Sequence, residues 1–267
     1  MVELYDTHAH LDFPDFKGEE AALVERALAA GVRKIVTIGT TLESSARAIE
    51  LASRFEPVYA AVGVHPGYAD RSPSEIRSAL RELVKQPKVV AIGEIGLDFY
   101  QRPNAPEVTP EKAAANRIRQ IDLFTQQLEI AAEMGLNVVI HTRDSFADTM
   151  DIFRPYAGKV RGVFHCFVSS PQEAAQVIQL GSLVSFTGIL TFKNALNVRE
   201  ALVSVPDGSF MFETDAPFLA PVPYRGKRCE PAFVKETAIC AAELRGTSFD
   251  DVAAQSTNTA RSFFRGL

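Results

Sequence analysis

Cysteine is scarce in this sequence and poorly placed to staple it. Cys166, Cys229 and Cys240 are three, an odd number, far apart and without a C-x-x-C pair. That spacing argues against a disulfide framework and against a zinc knuckle. Long apolar runs are missing as well. No stretch approaches the ~20 residues needed to cross a bilayer, so no membrane segment is expected. The opening MVELYDTHAH has no basic segment followed by an apolar one, so no secretory signal is expected and the cytoplasm is the expected compartment. Positive charge is not in excess: 28 Lys and Arg stand against 33 Asp and Glu, a formal net charge of −5. A surface that grips long duplex DNA usually carries a basic stripe. Here the one tight basic cluster is Arg225-Gly226-Lys227-Arg228, in a proline-rich loop. A nucleic acid fits this charge balance as a strand end entering a small site, with metal ions supplying the positive charge.

What is present is an alternation of strand and helix. Runs rich in β-branched and aromatic residues at 3–6, 34–39, 58–64, 89–93, 137–141, 160–165, 183–187 and 210–213 have the length and character of buried parallel strands. Between them lie helical segments with recognisable ends. Thr109-Pro110-Glu111 opens a long helix to Met134, with threonine as cap, proline in the first turn and Gly135 after the end. Eight such units close either as an open doubly wound sheet or as a barrel. No glycine-rich phosphate loop follows any of the strands, which counts against a nucleotide-binding open sheet. A length of 267 residues suits one α/β barrel, which runs to roughly 250. No repeat, low-complexity tract or linker interrupts it, so residues 1–267 read as a single domain, a (β/α)8 TIM barrel. The proline-rich stretch 216–223 and the polar stretch 101–110 read as long loops over its mouth.

The five histidines decide between the closures. Each falls where a strand-like run gives way to a loop: His8 and His10, His65, His141 and His165. Glu94 and Asp215 do the same. An open sheet would spread these residues along an edge, whereas a barrel gathers strand ends at one mouth. His8 and His10, two apart on a strand, project the same way. Asp6 shares their face and is expected to hydrogen-bond an imidazole N–H. Imidazole and carboxylate are ordinary ligands of divalent metals. His8, His10, His141, His165, Glu94 and Asp215 make six, too many for one tetrahedral zinc. They suit two ions that share a bridging carboxylate and a hydroxide. Such a site keeps about one positive charge, favouring an anionic group such as a phosphodiester. It is a hydrolase site without a serine or cysteine nucleophile, and no G-x-S-x-G is present.

Around it, His65 is a candidate to bind a substrate phosphate or to protonate a leaving oxygen. Arg225 is a candidate phosphate contact, with Lys227 and Arg228 weaker ones. Arg143, two residues past His141, either binds substrate or pairs with an acid at the rim. Cys166 follows His165 directly and, by strand alternation, is expected to face away from the site as packing. The 18 phenylalanines read as core, not as a base-stacking platform.

Six segments carry a resemblance: DTHAHLDF, GEIGLDFY, IHTRDS, FHCFVSS, ETDAPFLAP and PYRGKRCEP. In order and spacing they resemble the TatD family of metal-dependent deoxyribonucleases, within the amidohydrolase-like barrels, over essentially the whole chain. The resemblance implies two divalent ions (Mg, Mn or Zn). In it His8, His10 and Asp215 hold one ion, His141 and His165 the other, and Glu94 bridges them. Asp215 and Glu94 are the catalytic pair, with Asp215 taking a proton from the attacking water. The implied activity is removal of nucleotides from DNA or RNA ends, often the 3′ end, with no membrane and no obligate protein partner. The chain departs from the family pattern at Val168-Ser169, at Cys229 and in GVHPG, which lacks a second histidine.

Two other readings use the same residues. One keeps the site but changes the substrate to an amide, ester or lactone, as in other amidohydrolase-like barrels. Those often bridge their metals with a modified lysine, and Glu94 in its place favours the nuclease. The other is a metal-binding scaffold without catalysis.

Overall fold

Residues 3–100 and 109–267 are described by the computed structural model of the chain; residues 101–108, most of the expected polar mouth loop, lie outside the described residues. Eight parallel strands follow one another in sheet order: β1 (Leu4–Ala9), β2 (Val32–Ile38), β3 (Val58–Val62), β4 (Val89–Asp98), β5 (Val138–Arg143), β6 (Gly162–Phe164), β7 (Leu183–Phe186) and β8 (Phe210–Phe212). The ring is nearly closed. Past the end of β8, Asp215 N–H donates to the His8 carbonyl at 2.9 Å and His10 N–H to the Ala216 carbonyl at 2.8 Å. The expected (β/α)8 barrel is the observed architecture.

Helices cover the outside: α1 (Glu20–Ala29), α2 (Leu42–Arg54), α3 (Arg77–Val84), α4 (Pro110–Met134), α5 (Phe146–Phe153), α6 (Pro171–Gln179), α7 (Leu196–Ser204), α8 (Val234–Arg245) and α9 (Phe249–Phe263). Their ends follow local chemistry. Thr109 accepts from Lys112 N–H at the start of α4, and Gly135 ends that helix at φ 63°. Ser170 and Glu173 cap α6 reciprocally.

The sequence places the end of β4 at residue 93, but the strand runs on to Asp98. Gly96 permits this. It sits at φ +132° against the His141 carbonyl, in space where a Cβ would collide. In the other direction, β6 is only three residues long and ends before His165.

All eight strands contribute to one buried cluster, including Val36, Ala61, Val139, Val163, Leu183 and Met211. Only the inside of a closed sheet brings such residues together. Phe263 and Phe264 join them and plug the end where strands begin, where Arg265 N–H bonds the Val90 carbonyl. Two residues further along four of these strands the inward side chain becomes polar. Val139 is succeeded by His141, Val163 by His165, Leu183 by Ser185 and Met211 by Glu213. The apolar layer is thus the floor under a polar mouth.

Candidate metal centre

Glu94 is the midpoint of that mouth. It is 3 % exposed, and its two carboxylate oxygens face different groups of ligand atoms. Oε2 lies 3.6 Å from His8 Nε2 and 3.7 Å from His10 Nε2. Those nitrogens are 3.3 Å apart, as two residues projecting from one strand face require. Asp215 Oδ1 completes the group at 3.6 and 3.4 Å from the same nitrogens. Asp215 reaches it from a left-handed turn, φ 56°, three residues past β8.

Negative charge gathers at the inner nitrogens of this first group. His10 Nδ1 donates to the Ile38 carbonyl at 3.1 Å, so Nε2 is the nitrogen turned inward, where the Glu94 and Asp215 carboxylates face it and favour a proton or a metal ion on it. The spacings of 3.3–3.7 Å are those of ligand atoms sharing one ion, since bonds of about 2.1 Å in a tetrahedron give edges of about 3.4 Å. The donor set fits a divalent metal.

Oε1 of Glu94 faces the second group. It is 2.8 Å from His141 Nδ1 and 2.7 Å from His165 Nε2, and these nitrogens are 3.3 Å apart. Contacts of 2.7–2.8 Å to a carboxylate are charge-assisted hydrogen bonds from protonated imidazoles. Such contacts are shorter than the edge between ligands of one ion, so a metal here replaces protons. One outer nitrogen is also held: His141 Nε2 is 3.2 Å from Asp98 Oδ2. His165 Nδ1 makes no hydrogen bond and has only the Glu213 charge beside it, at 3.4 Å from Oε1. Carboxylates behind imidazoles are the usual support of a metal-ligating histidine.

Charge follows the geometry. Burial opposes ionisation of Glu94, yet the His165 and His65 imidazoles and bonds from His141 and His165 hold its carboxyl well below the usual range. Burial likewise opposes protonation of His165, but the Glu94 charge and Glu213 hold it well above 6.5. His141 is raised against burial by Asp98 and Glu94, and His10 against burial by Asp215 and Glu94. His8 is lowered by burial and by His165, on whose ring it stacks at 4.1 Å. His8, His10 and Glu94, with Asp215 beside them, could hold a metal ion, and so could Glu94 and His141 together with His65 or His165.

His65 joins the second group without completing it. Its Nε2 is 3.4 Å from Glu94 Oε1, but its Nδ1 accepts from Gly67 N–H at 2.9 Å. The lone pair is therefore spent on the backbone and Nε2 bears the proton. Burial pushes its pKa down to about 3, with the other imidazoles adding to the effect. A neutral ring that donates from Nε2 suits contact with an oxygen and suits proton delivery badly.

Asp6 differs from expectation. It bonds no imidazole: its oxygens take Thr214 N–H at 2.9 Å, Thr214 O–H at 2.6 Å and His8 backbone N–H at 3.3 Å. Burial pushes its pKa up to about 8. Asp6 ties β1 to the turn after β8 and so positions His8 and Asp215 by the backbone. Cys166 stays out of the ligand groups, though not by strand alternation. It lies beyond β6 at φ 45°, its N–H donating to Glu213 Oε1 and its thiol 3.7 Å from Thr187 Oγ1.

At the rim, Arg143 lies over the Tyr100 ring at 3.7 Å, with no ion pair among the described residues. The expected alternative of an acidic partner is not met among the described residues. Arg225 lies over Phe192 at 3.8 Å. Arg228 is committed elsewhere, paired with Glu19 at 2.7 Å. Sequence reasoning missed Glu213, Asp98 and Ser185. Glu213 is near enough to His8 and His165 to count as a ligand, but Cys166 N–H and Ser185 O–H (2.6 Å) already occupy its oxygens.

The chain is similar to known proteins along almost its whole length. The family model described as TatD related DNase matches residues 5–265. An uncharacterized metal-dependent hydrolase of Bacillus subtilis, YabD, is 35% identical over 98% of this chain and 99% of its own. The 3′-5′ ssDNA/RNA exonuclease TatD of Enterobacter lignolyticus is 33% identical over 98% of each chain. Among solved structures, the TatD homologue YJJV of Escherichia coli superposes with a TM-score of 0.90 at 31% identity, covering 99% of this chain and 98% of that one.

Proposed function

This chain belongs to the TatD-related DNase family and is a metal-dependent hydrolase, and from that premise we propose that it is a two-metal phosphodiesterase that removes nucleotides from the ends of DNA or RNA. The observation that carries the reading is the division of Glu94, each oxygen facing its own group of imidazoles. His8, His10, Asp215 and Glu94 Oε2 would hold one ion; His141, His165 and Glu94 Oε1 the other. Divalent ions bound there, whether Mg, Mn or Zn, supply Lewis acidity and lower the pKa of water.

The chain's own groups do the rest. The Asp215 carboxyl is held ionised despite burial by His10 and His8, so its oxygen not turned to the ligand group, Oδ2, could accept a proton from the attacking water. Glu94 keeps both groups at fixed separation and stays charged throughout. The Nε2–H of His65 donates to a phosphoryl oxygen. Arg143 and Arg225, stacked on aromatic rings, present their planar faces and N–H donors to phosphates at the rim. The end-directed, single-strand action is supported by the name of the Enterobacter relative and by the net charge of −5.

Incubation of the metal-reconstituted chain with end-labelled single-stranded DNA and RNA, resolved to nucleotide length, tests this. A ladder shortening from one end, abolished by chelator and restored by metal, is expected. Intact oligonucleotides with metal content verified would overturn the reading.

A further inference from the structure

Among the large hydrophobic side chains left exposed in the described residues, Phe218 is the only phenylalanine, with half its surface open. It is not a stray loop residue. It stands three positions after Asp215, and its N–H donates to the Asp215 carbonyl at 2.9 Å, which ties it rigidly to a candidate metal ligand. Its neighbours Ala216, Pro217 and Ala220 are buried, so this part of the loop is packed beneath the outward ring. Underneath, Phe13 stacks on the His10 imidazole with centroids 4.5 Å apart at 20°. Phe218 meets Phe13 edge-on at 6.0 Å and His10 at 6.4 Å. An aromatic relay therefore leads from a ligand imidazole out to solvent and ends in an open face. Further along the same loop lies a cleft of about 380 Å³, where Val222 and Arg225 face Phe192 and Lys193.

An open aromatic face beside a centre for phosphodiesters has one natural occupant, because every nucleobase has a π-face and stacking on phenylalanine tolerates any sequence. We propose that Phe218, propped on Phe13, is the platform on which the base of the terminal nucleotide stacks while its phosphodiester lies over Glu94 and Asp215. This deepens the phosphodiesterase reading and rests on it. A paired base is already stacked in its duplex, so the platform selects ends whose last base is free. The cleft with Arg225 and Lys193 then receives the strand beyond it.

The test uses the full chain and single-stranded DNA carrying 2-aminopurine as its terminal base. With metal present and a phosphorothioate terminal linkage that resists cleavage, binding to the unaltered chain should quench the fluorophore as it stacks. Phe218→Ala should lose that quenching and Phe218→Trp keep it. With metal present, Phe218→Ala should raise KM about tenfold, with kcat nearly unchanged, as loss of uniform binding requires. The same variant should not alter KM for a strand with an abasic terminal nucleotide. Equal quenching and equal KM in Phe218→Ala, or an equal loss on base-bearing and abasic ends, overturns the platform and leaves the nuclease standing. Absence of cleavage by the unaltered, metal-loaded chain overturns the nuclease reading itself. Thermal melting of each variant separates these results from misfolding.

Discussion

The two oxygens of Glu94 look into different environments. On the Oε2 side the His8 and His10 nitrogens stand 3.3 Å apart, and a carboxylate oxygen of Glu94 and one of Asp215 each lie 3.4–3.7 Å from both. On the Oε1 side the carboxylate has closed onto His141 and His165 at 2.7–2.8 Å, and both imidazoles have raised pKa values. The first group is preorganised: it has two carboxylates, and a histidine whose tautomer a backbone carbonyl sets. The second is held by protons that a metal must displace. An acceptor-rich site and a donor-filled one thus share a single side chain. They should differ in affinity and in sensitivity to pH.

Removing the shared group abolishes the comparison and is the largest expected effect. Glu94→Gln leaves an amide that bridges nothing and deprives both groups of charge. Both ions should be lost by elemental analysis and hydrolysis should fall by roughly 10³-fold or more. The fold should survive, because residues at the mouth of a barrel serve function more than stability. His141→Ala is one-sided. It strips the second group and leaves all four atoms of the first. One ion per chain should remain, with turnover down roughly 10²-fold. Retention of both ions in His141→Ala would break the distinction between the two groups.

Much of this was legible in the sequence. Eight strand-like runs, six of them ending at a histidine or acid, led to a barrel, and the six proposed ligands meet in its mouth. The supporting residues were harder to see. Glu213 and Ser185 bind no ion in this reading and stand in no histidine motif. Yet each lies two residues past an inward apolar side chain, Met211 and Leu183, so strand periodicity could have placed them. Asp98 was hidden because β4 was taken to end before it, and only Gly96 allows the strand to continue beside β5. Phe218 could not be recognised, since composition does not separate an exposed phenylalanine from a core one. Asp6 was assigned the right face and the wrong partner, because Thr214 approaches it only once β8 closes on β1.

Glu213 offers a sharper and smaller test, since it touches the second group only through His165 Nδ1. Glu213→Gln should weaken the second ion by about 10- to 100-fold and the first by less, through His8 alone. Metal titration with competition by a chelator would resolve the two affinities. Equal weakening of both would show that Glu213 supports the whole mouth and not one group.

The smallest effect is on pH dependence, and its sign follows from the protons already present. In the metal-free chain His141 and His165 both have raised pKa values, whereas in the first group His10 is raised and His8 lowered. A raised imidazole stabilises the fold below its unfolded value of 6.5, and that contribution is lost as pH rises through the folded value. Asp6, raised to about 8, loses its contribution in the same direction, from 3.8 upward. Glu94, Asp98 and Asp215 are lowered, so their contribution is complete above their unfolded values and does not change near neutrality. Metal-free chain should therefore melt at lower temperature as pH climbs from 6.5, and metal should remove the imidazole part of that decline by taking the protons' place. The gain in melting temperature on adding metal then widens with pH. Two protons leave the second group for one from the first, so acidification should empty the second group before the first. Metal stoichiometry measured against pH, with His141→Ala as the one-ion reference, checks the order; simultaneous loss of both ions would mean that Glu94 couples the groups too tightly for either to titrate alone.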